Sequence, residues 1–385
     1  MSEKLTIRNF GPIKEMSFEF KKINIFIGDQ GTGKSTVAKV LSAIKNTIFL
    51  KIFDLPDEEI EQFYGHLDLV GIKNYIKKNS VLIYEYPDYR FELKEGKVSI
   101  SKNISTSDSI NFRFNYIVAE RNMVHVLADS LYALLEVEAE LPKLFLRFGN
   151  KYQTSRKSQI EFNYSEILGV KFTHKNNKDY ILIPDGTEIN LSDASSGIQG
   201  CIALLTVADT IMSEVLSSGK SRHLLNKNLK LLVIEEPELN CFPQTQNKLI
   251  QHILGNNKIS SIDAFISEDT NPDNPIIDHN ENYEDEVKNQ LVITTHSPYI
   301  LTSLNNLMYA YQVGQHHEQE TNAIIEKKYW VNPGDVSAYM LLTDGTCEDI
   351  LDKEENLIKA EKIDEVSGFL NEQFDALLNI ELVQK

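Results

Sequence analysis

A glycine-rich segment near the start of the chain has the residues that a phosphate-binding loop needs. Gly28–Ser35 reads GDQGTGKS and matches the pattern GxxxxGK followed by Ser or Thr. Glycines let backbone N–H groups point at phosphate oxygens, and a following helix presents its positive end to the same anion. We expect Lys34 to neutralise nucleotide phosphates and the Ser35 hydroxyl to bind Mg²⁺. The predicted nucleotide-binding residues are Gly28, Asp29, Gln30, Gly31, Thr32, Gly33, Lys34, Ser35 and Thr36.

Two adjacent carboxylates further along the chain could complete this chemistry. Glu235 and Glu236 follow the apolar run LLVI and open the sequence EEPE. We expect Glu235 to hold Mg²⁺ through water and Glu236 to act as the general base on the attacking water. An EEPE run alone is usually a solvated turn, but its place behind an apolar strand favours the catalytic interpretation.

A small-residue turn precedes the apolar helix predicted from residue 197. The segment LSDASSGIQ at 191–199 could cradle an anion at a helix N-terminus, with Ser196, Gly197 and Gln199 as nucleotide contacts. The alternative is an ordinary N-cap supplied by Ser195 or Ser196, and the segment on its own favours that alternative.

A histidine follows a second apolar strand, in LVITTHSP at 291–298. A lone histidine after a strand is more often structural than catalytic. His296, however, stands at a strand end, where the sites of parallel sheets gather, so it is a catalytic candidate.

The segments between these motifs predict an α/β protein. Patterns of alternating or continuous apolar residues predict strands at 5–9, 23–27, 112–119, 229–234 and 290–294, a β-meander at 81–101 and a hairpin at 170–189. Helical spacing predicts helices at 35–45 and 197–216, and mostly helical structure at 49–78 and 123–167.

The charge of the chain is strongly uneven. The formal net charge is −17, of which residues 263–286 carry −9 and residues 301–385 carry −10, so that +2 remains elsewhere. An acidic total argues against nucleic acid as the main partner, although the nearly neutral body leaves nucleic-acid binding possible. The acidic segment is either a disordered surface loop or a docking element for a partner.

The N-terminal and cysteine patterns predict a cytoplasmic protein with no membrane association. The first ten residues lack the apolar core of a signal peptide, and no apolar run is long enough to span a bilayer. Cys201, Cys241 and Cys347 are far apart in the sequence. This spacing fits a reducing compartment and argues against a disulfide framework or a zinc ribbon.

The order of the four motifs is more specific than any one of them. Phosphate loop, SSGIQ, EEPE and TTHSP follow one another as in ABC-type ATPases, and the chain resembles the branch with SMC proteins, RecF and the OLD-type (AAA15-class) ATPases. The resemblance implies an α/β ABC-type P-loop ATPase with a mixed sheet core, an N-terminal antiparallel β subdomain and a short helical lobe. It also implies ATP and Mg²⁺ as ligands.

The same resemblance implies one domain over residues 1–385 and a composite site. Its core would comprise 1–122 and 168–385, with a helical lobe at 123–167, an acidic insertion at 259–286 and a mixed tail at 304–385. In a head-to-tail homodimer, or a larger assembly of dimers, Ser196 and Gly197 of one copy would face Lys34, Ser35, Glu235, Glu236 and His296 of the other. His296 would sense the γ-phosphate.

One element departs from the general pattern. The sequence VAERN at 118–122 stands where ABC-type ATPases usually carry a glutamine, so that Glu120 or Arg121 could take its role, or the two could form a structural ion pair. This element resembles the ATPase subunits of bacterial anti-phage systems such as Septu and Septu-like retrons.

We recognise no nuclease active site in the chain. The acidic pairs Asp344-Gly345 and Glu348-Asp349 are predicted to lie in a turn-like stretch without an apolar strand before them. We therefore expect an ATPase that controls a separate effector, such as a nuclease or another toxin, in anti-phage defence. The alternative is a RecF-like DNA-repair ATPase that acts on DNA directly. A transporter subunit or a nucleotide-binding structural protein is less favoured.

Overall fold

The computed structural model describes residues 3–51, 59–87, 89–102, 110–125, 127, 140–213, 227–256 and 287–359. The acidic segment 259–286 and the last part of the predicted mixed tail, residues 360–385, lie outside these residues.

Six strands form a central mixed sheet, as predicted. They are β3 (Ile23–Gly28), β7 (Ile110–Ile117), β12 (Lys227–Glu235), β13 (Val287–Thr295), β14 (Val336–Leu341) and β15 (Cys347–Asp349). Their order is β15-β14-β3-β13-β12-β7, and only the β14–β15 pair is antiparallel. The apolar runs of β3, β12 and β13 are buried, as expected for strands covered on both faces.

The strand register brings the predicted site residues to one edge of this sheet. Glu235 pairs with Thr294, Thr295 pairs with Ile27, and Ile234 pairs with Ile117. The carboxyl ends of four neighbouring strands therefore lie side by side.

β14 was not predicted, and its position corrects one interpretation of the tail. Five of its six residues are buried, and it pairs in parallel with β3 directly before the turn at Asp344-Gly345. The expectation of no apolar strand before this turn is therefore wrong. The sequence VSAYML contains a serine and a tyrosine, which weaken its apolar pattern. Both polar groups can be buried because Ser337 hydrogen-bonds to Asn24 and Tyr339 to Glu19.

A second, antiparallel sheet forms the predicted N-terminal β subdomain. It contains β1 (Glu3–Phe10), β2 (Ile13–Phe20), β4 (Ile76–Tyr86), β5 (Tyr89–Lys94) and β6 (Lys97–Lys102), in the order β2-β1-β4-β5-β6. The predicted meander is confirmed. The helix predicted through residue 78 is too long, because Gly71 adopts a φ of 75° and the chain then pairs with β1 from Ile76 onward.

A third sheet contains the predicted hairpin and one additional strand. Its strands are β8 (Glu161–Tyr164), β9 (Val170–Lys175), β10 (Lys178–Leu182) and β11 (Glu188–Asn190), in the order β11-β10-β9-β8. β8 corrects the prediction of helix through residue 167. Phe162 and Tyr164 are buried and alternate with exposed neighbours, which is the period of a strand.

Eight α-helices have bounds within the described residues. They are α1 (Lys34–Lys51), α2 (Glu59–Leu69), α3 (Lys143–Ser155), α4 (Ser165–Leu168), α5 (Ser196–Ser213), α6 (Pro243–Asn256), α7 (Pro298–Gly314) and α8 (Glu318–Ile324). The apolar stripe of α1, which includes Val37, Leu41 and Ile44, is buried against the central sheet. Among the described residues, no helix is both long and apolar enough to cross a membrane.

Candidate functional site

The predicted phosphate loop connects β3 to α1 at the carboxyl end of the central sheet. Gly28 has a φ of 150°, and a Cβ here would collide with the carbonyl oxygen of Leu341 in β14. The Thr32 hydroxyl donates to the carbonyl oxygen of Asp29 at 2.8 Å, which closes the turn. Residues 29–31 are exposed, so the outer face of the loop is open to a ligand.

Lys34 lies beneath this loop with only 5% of its surface exposed. Its Nζ donates to the carbonyl oxygens of Gly28 and Asp29 at 2.7 and 2.8 Å. Burial lowers the pKa of Lys34 to about 8, although the charges of Glu236 and Asp29 oppose the shift. The ammonium group is therefore held at the base of the loop by two carbonyl oxygens, which a phosphate can replace.

The Glu235 side chain ends β12 and is held from the neighbouring strand. The phenol of Tyr116 in β7 donates to Oε1 of Glu235 at 2.6 Å, and the Ala119 N–H faces Oε2 at 3.4 Å. Burial, followed by the charge of Glu235, raises the pKa of Tyr116 well above its usual range, so this phenol stays protonated and donates. The sequence gives no signal for this role of Tyr116, because a tyrosine in a strand is an ordinary core residue.

Glu236 has a strained backbone, as functional residues often do. Its φ is 44°, in the left-handed region that non-glycine residues seldom adopt. Its N–H donates to the carbonyl oxygen of Thr294 at 2.8 Å, and its own carbonyl oxygen accepts from Nη2 of Arg121 at 2.7 Å. These contacts fix the direction in which the carboxylate leaves the strand.

Arg121 is fully buried and binds the backbone of the EEPE turn. Its guanidinium donates to the carbonyl oxygens of Glu235, Glu236 and Pro237 at 2.8, 2.7 and 3.3 Å, and to that of Val118 at 3.3 Å. The predicted alternative of an ion pair with Glu120 is therefore wrong, because carbonyl oxygens occupy both terminal nitrogens of the buried guanidinium, whereas Glu120 is exposed.

Glu120 points elsewhere. It is exposed and lines an open cleft of about 590 Å³ together with Glu235 and Lys39.

His296 lies between Lys34 and Glu236. Its Nδ1 is 3.5 Å from Nζ of Lys34, and its Nε2 is 3.4 Å from Oε1 of Glu236. Nδ1 can accept a hydrogen bond from the Lys34 ammonium group, which has only hydrogens to offer, while Nε2 faces the Glu236 carboxylate. Glu238 holds the backbone here, since its Oε1 accepts from the His296 N–H at 2.7 Å and from the Thr295 hydroxyl at 2.8 Å.

The serine-glycine turn, residues 192–197, leads into α5 and is exposed at Ser196. The hydroxyl of Ser195 faces the Ile198 N–H at 3.4 Å, which is the geometry of the predicted N-cap. The side-chain amide of Gln199 donates to the carbonyl oxygens of Ser192 and Ala194 at 3.0 and 2.9 Å. Gln199 thus shapes the turn from inside, and its predicted nucleotide contact stays a prediction.

A buried polar cluster supports this turn from behind. His125 Nε2 contacts the Gln199 carbonyl oxygen at 3.0 Å. Asp179 accepts from Tyr152 and Arg156 at 2.8 Å each, and lies 2.7 Å from Nδ1 of His174. Burial opposes ionisation of Asp179, but His125, the Arg156 charge, His174 and Tyr152 lower its pKa well below its usual range.

The oxygen donors near the loop fit a magnesium ion. Ser35 offers a hydroxyl on the first turn of α1, and Glu235 offers a carboxylate that Tyr116 already orients. Hydroxyl and carboxylate oxygens are the ligands that Mg²⁺ prefers, with phosphates and waters completing its shell.

The phosphate loop, the strand-end carboxylates and the facing histidine lie together at one edge of the central sheet, as we expect for a P-loop ATPase. The sequence matches the AAA ATPase domain family (AAA_15) over residues 1–179 and 136–301, which is more than half of the chain. The chain belongs to this family, and the protein is an ATP-binding ATPase. No curated protein matches it.

Solved structures with a similar arrangement are distant in sequence. The SMC head domain from Thermotoga maritima is 13% identical, with 78% of this chain and 91% of that chain covered and a TM-score of 0.36. An SMC head bound to the C-terminal winged-helix domain of ScpA is 11% identical, with coverages of 92% and 98% and a TM-score of 0.43. RecF with ATPγS is 11% identical, with coverages of 91% and 98% and a TM-score of 0.40. We base the assignment on the family match and the site geometry.

Replacement of Arg121 by methionine is expected to lower ATP turnover about 10- to 100-fold, the usual cost of losing a group that orients a catalytic residue. The methionine side chain would fill much of the space but leave the carbonyl oxygens of Glu235 and Glu236 without their donor. Steady-state kinetics should show a larger change in kcat than in KM, and Arg121→Lys should recover part of the loss.

The matched control is Arg113→Met, which removes an exposed arginine from β7. Thermal unfolding of both variants shows whether a loss of turnover comes from unfolding or from a misplaced Glu236. Unchanged kcat in folded Arg121→Met protein would mean that the guanidinium does not position Glu236.

Proposed function

We propose that two copies of the chain hydrolyse ATP at a composite site. We further propose that the nucleotide state of this dimer controls a separate effector, a nuclease or another toxin, in anti-phage defence. The observation that carries the composite site is the Ser196–Gly197 turn, which is exposed at Ser196 and stands at the N-terminus of an eighteen-residue helix. Among the described residues, no hydrogen bond or ion pair joins this turn to the phosphate loop of the same chain.

In this proposal each side chain has one task. Lys34 directs its charge to the β- and γ-phosphates, and Ser35 and Glu235 hold Mg²⁺, which neutralises charge on the phosphate oxygens. Glu236 accepts a proton from the attacking water. His296 would contact the γ-phosphate, and its Nε2 lies 3.4 Å from Oε1 of Glu236, so that it would link the phosphate to the base.

The second copy would close the site. Ser196 and Gly197 of that copy would approach the γ-phosphate with a hydroxyl and with helix N–H groups. Glycine is needed at position 197 by the packing of its own chain, because a Cβ there would lie 2.5 Å from the Asn240 carbonyl oxygen.

The support for the defence role is the resemblance of the VAERN element, the hairpin before SSGIQ and the sequence after TTHSP to ATPase subunits of anti-phage systems. We expect wild-type protein, expressed with its neighbouring genes, to co-purify with one of their products and to restrict phage plating. Lys34→Ala and Glu236→Gln should both abolish the restriction. Full resistance in both variants, with no co-purifying product, would refute the defence proposal.

The competing proposal is an ATPase that acts on DNA directly, and the observation in its favour is the +2 charge of the body outside the two acidic segments. It predicts ATP-dependent DNA binding whose affinity falls steeply with salt, with a log–log slope of about −0.9 per phosphate contact. Salt-independent or absent binding would exclude it.

A further inference from the structure

Two cysteines that are 40 residues apart in the sequence meet beside the ATP site. Sγ of Cys201 lies 3.1 Å from Sγ of Cys241, and both thiols are free. The sequence spacing does not reveal this proximity, which arises because α5 and the turn after β12 pack together.

The two cysteines lie on two neighbouring elements, each of which carries predicted site residues. Cys201 is on the first turns of α5, five residues after Ser196, and Cys241 is five residues after Glu236. The two elements already touch, since a Cβ on Gly197 would lie 2.5 Å from the Asn240 carbonyl oxygen. A covalent bond between the sulfurs would therefore tie the serine-glycine turn to the turn of the catalytic base.

The two thiols differ in access and in acidity. Cys201 is only 1% exposed, whereas Cys241 is partly exposed at the surface. A hydrogen bond from Cys201 lowers the pKa of Cys241, and the Arg121 charge acts in the same direction. For Cys201 the pKa is raised, first by the hydrogen bond to Cys241 and then by burial. Cys241 is therefore the thiol that an oxidant reaches first, because it is the more exposed and the more acidic of the two.

The backbone around Cys241 holds the sulfur in this place. Its N–H donates to the Glu238 carbonyl oxygen at 2.8 Å, and its carbonyl oxygen accepts from the Gln246 side chain at 2.9 Å. The approach needed for a bond is about 1 Å, because a disulfide is about 2.05 Å long.

We propose that Cys201 and Cys241 are a site of reversible oxidation, at which a hydroperoxide forms a disulfide that lowers ATP turnover. The Cys241 thiolate attacks one peroxide oxygen, the O–O bond breaks, and the products are a Cys241 sulfenic acid and, after protonation, one water. The Cys201 sulfur then attacks Sγ of Cys241, loses its proton and displaces the second water. In total two thiols and one hydrogen peroxide give one disulfide and two waters, with two electrons passing from sulfur to peroxide.

The effect on turnover rests on the proposed composite site, whereas bond formation does not. A fixed Cys201–Cys241 bond prevents α5 and the Glu236 turn from moving relative to each other when ATP and the second copy bind. The bond would also draw the turn toward α5, and Arg121 is bonded to the carbonyl oxygens of that same turn.

Hydrogen peroxide, followed by alkylation and peptide mass analysis, tests the site on the full-length protein. Wild-type protein should yield a linked pair of peptides that contain Cys201 and Cys241, and should lose most of its ATP turnover. Dithiothreitol should restore both the free thiols and the turnover. Cys347→Ser is the matched control and should behave like wild-type protein, since Cys347 is the third, partly exposed cysteine.

Cys241→Ser should form no crosslink and should keep its turnover after peroxide treatment. Cys201→Ser serves as the second variant and should leave Cys241 as an unresolved sulfenic acid. The proposal is overturned if peroxide produces no 201–241 crosslink, or if Cys241→Ser loses turnover as wild-type protein does. A crosslink with unchanged turnover would establish the disulfide but would overturn the proposal that it lowers ATP turnover.

Discussion

Lys34→Ala protein is expected to bind ATP more than about 100-fold more weakly than wild-type protein, because a buried charge partner of the phosphates is worth several kcal/mol. Nζ of Lys34 is held at the base of the phosphate loop by the carbonyl oxygens of Gly28 and Asp29. Alanine leaves the loop backbone without this charge. Titration calorimetry with ATP and Mg²⁺ measures the change.

The matched control for this variant is Lys22→Ala, which removes an exposed lysine just before β3. It should bind ATP like wild-type protein. Wild-type affinity in folded Lys34→Ala protein would refute the assignment of Gly28–Ser35 as the phosphate loop.

The same lysine predicts how ATP affinity depends on pH. Because the pKa of Lys34 in the free protein is about 8, the side chain loses its charge as the pH rises through that value. ATP binds the charged form, so that above pH 8 binding takes up a proton and Kd rises by up to about tenfold per pH unit. Calorimetry in two buffers of different ionisation enthalpy measures the proton uptake, and a Kd that stays constant above pH 8 would contradict the shift.

Glu236→Gln protein is the second variant with a large expected effect. We expect it to bind ATP normally and to hydrolyse it about 100- to 10,000-fold more slowly, which is the range for loss of a general base. Glutamine preserves the shape of the side chain beside His296 but cannot accept the proton of the attacking water. Because hydrolysis stalls after binding, the ATP-bound dimer of the proposed composite site should accumulate.

Mass analysis of Glu236→Gln protein with and without ATP and Mg²⁺ measures this accumulation. Glu166→Gln, at an exposed position in α4, is the matched control and should turn over ATP normally. Normal turnover in Glu236→Gln protein would mean that Glu236 is not the general base, and Glu238 or Glu120 would be the next candidate. A nucleotide-indifferent monomer would instead refute the composite site.

The ATPase class could be predicted from the sequence, because its signals are local. The phosphate loop works through backbone N–H groups and two side chains within Gly28–Ser35, so its residues stand together in the chain. The apolar runs before Glu235 and His296 predict buried parallel strands for a similar reason. Parallel strands end at one edge, which placed Lys34, Glu236 and His296 in one site before their contacts were known.

The tertiary structure decided which residues orient these side chains. Arg121 has one local contact, to the Val118 carbonyl oxygen, and only the packing of its segment beneath the EEPE turn brings its guanidinium to the carbonyl oxygens of Glu235 and Glu236. Tyr116 reaches Glu235 because β7 and β12 are neighbours in the sheet.

The pairings of distant segments also could not be predicted from the sequence. β14 lies beside β3, although more than three hundred residues separate their starts, and Cys201 meets Cys241 through helix packing. Contacts of this kind depend on which apolar faces bury each other, and a single sequence contains no periodicity that records such a choice. Local sequence motifs and their order along the chain therefore identified the reaction of this protein, whereas long-range packing decided how its catalytic groups are held.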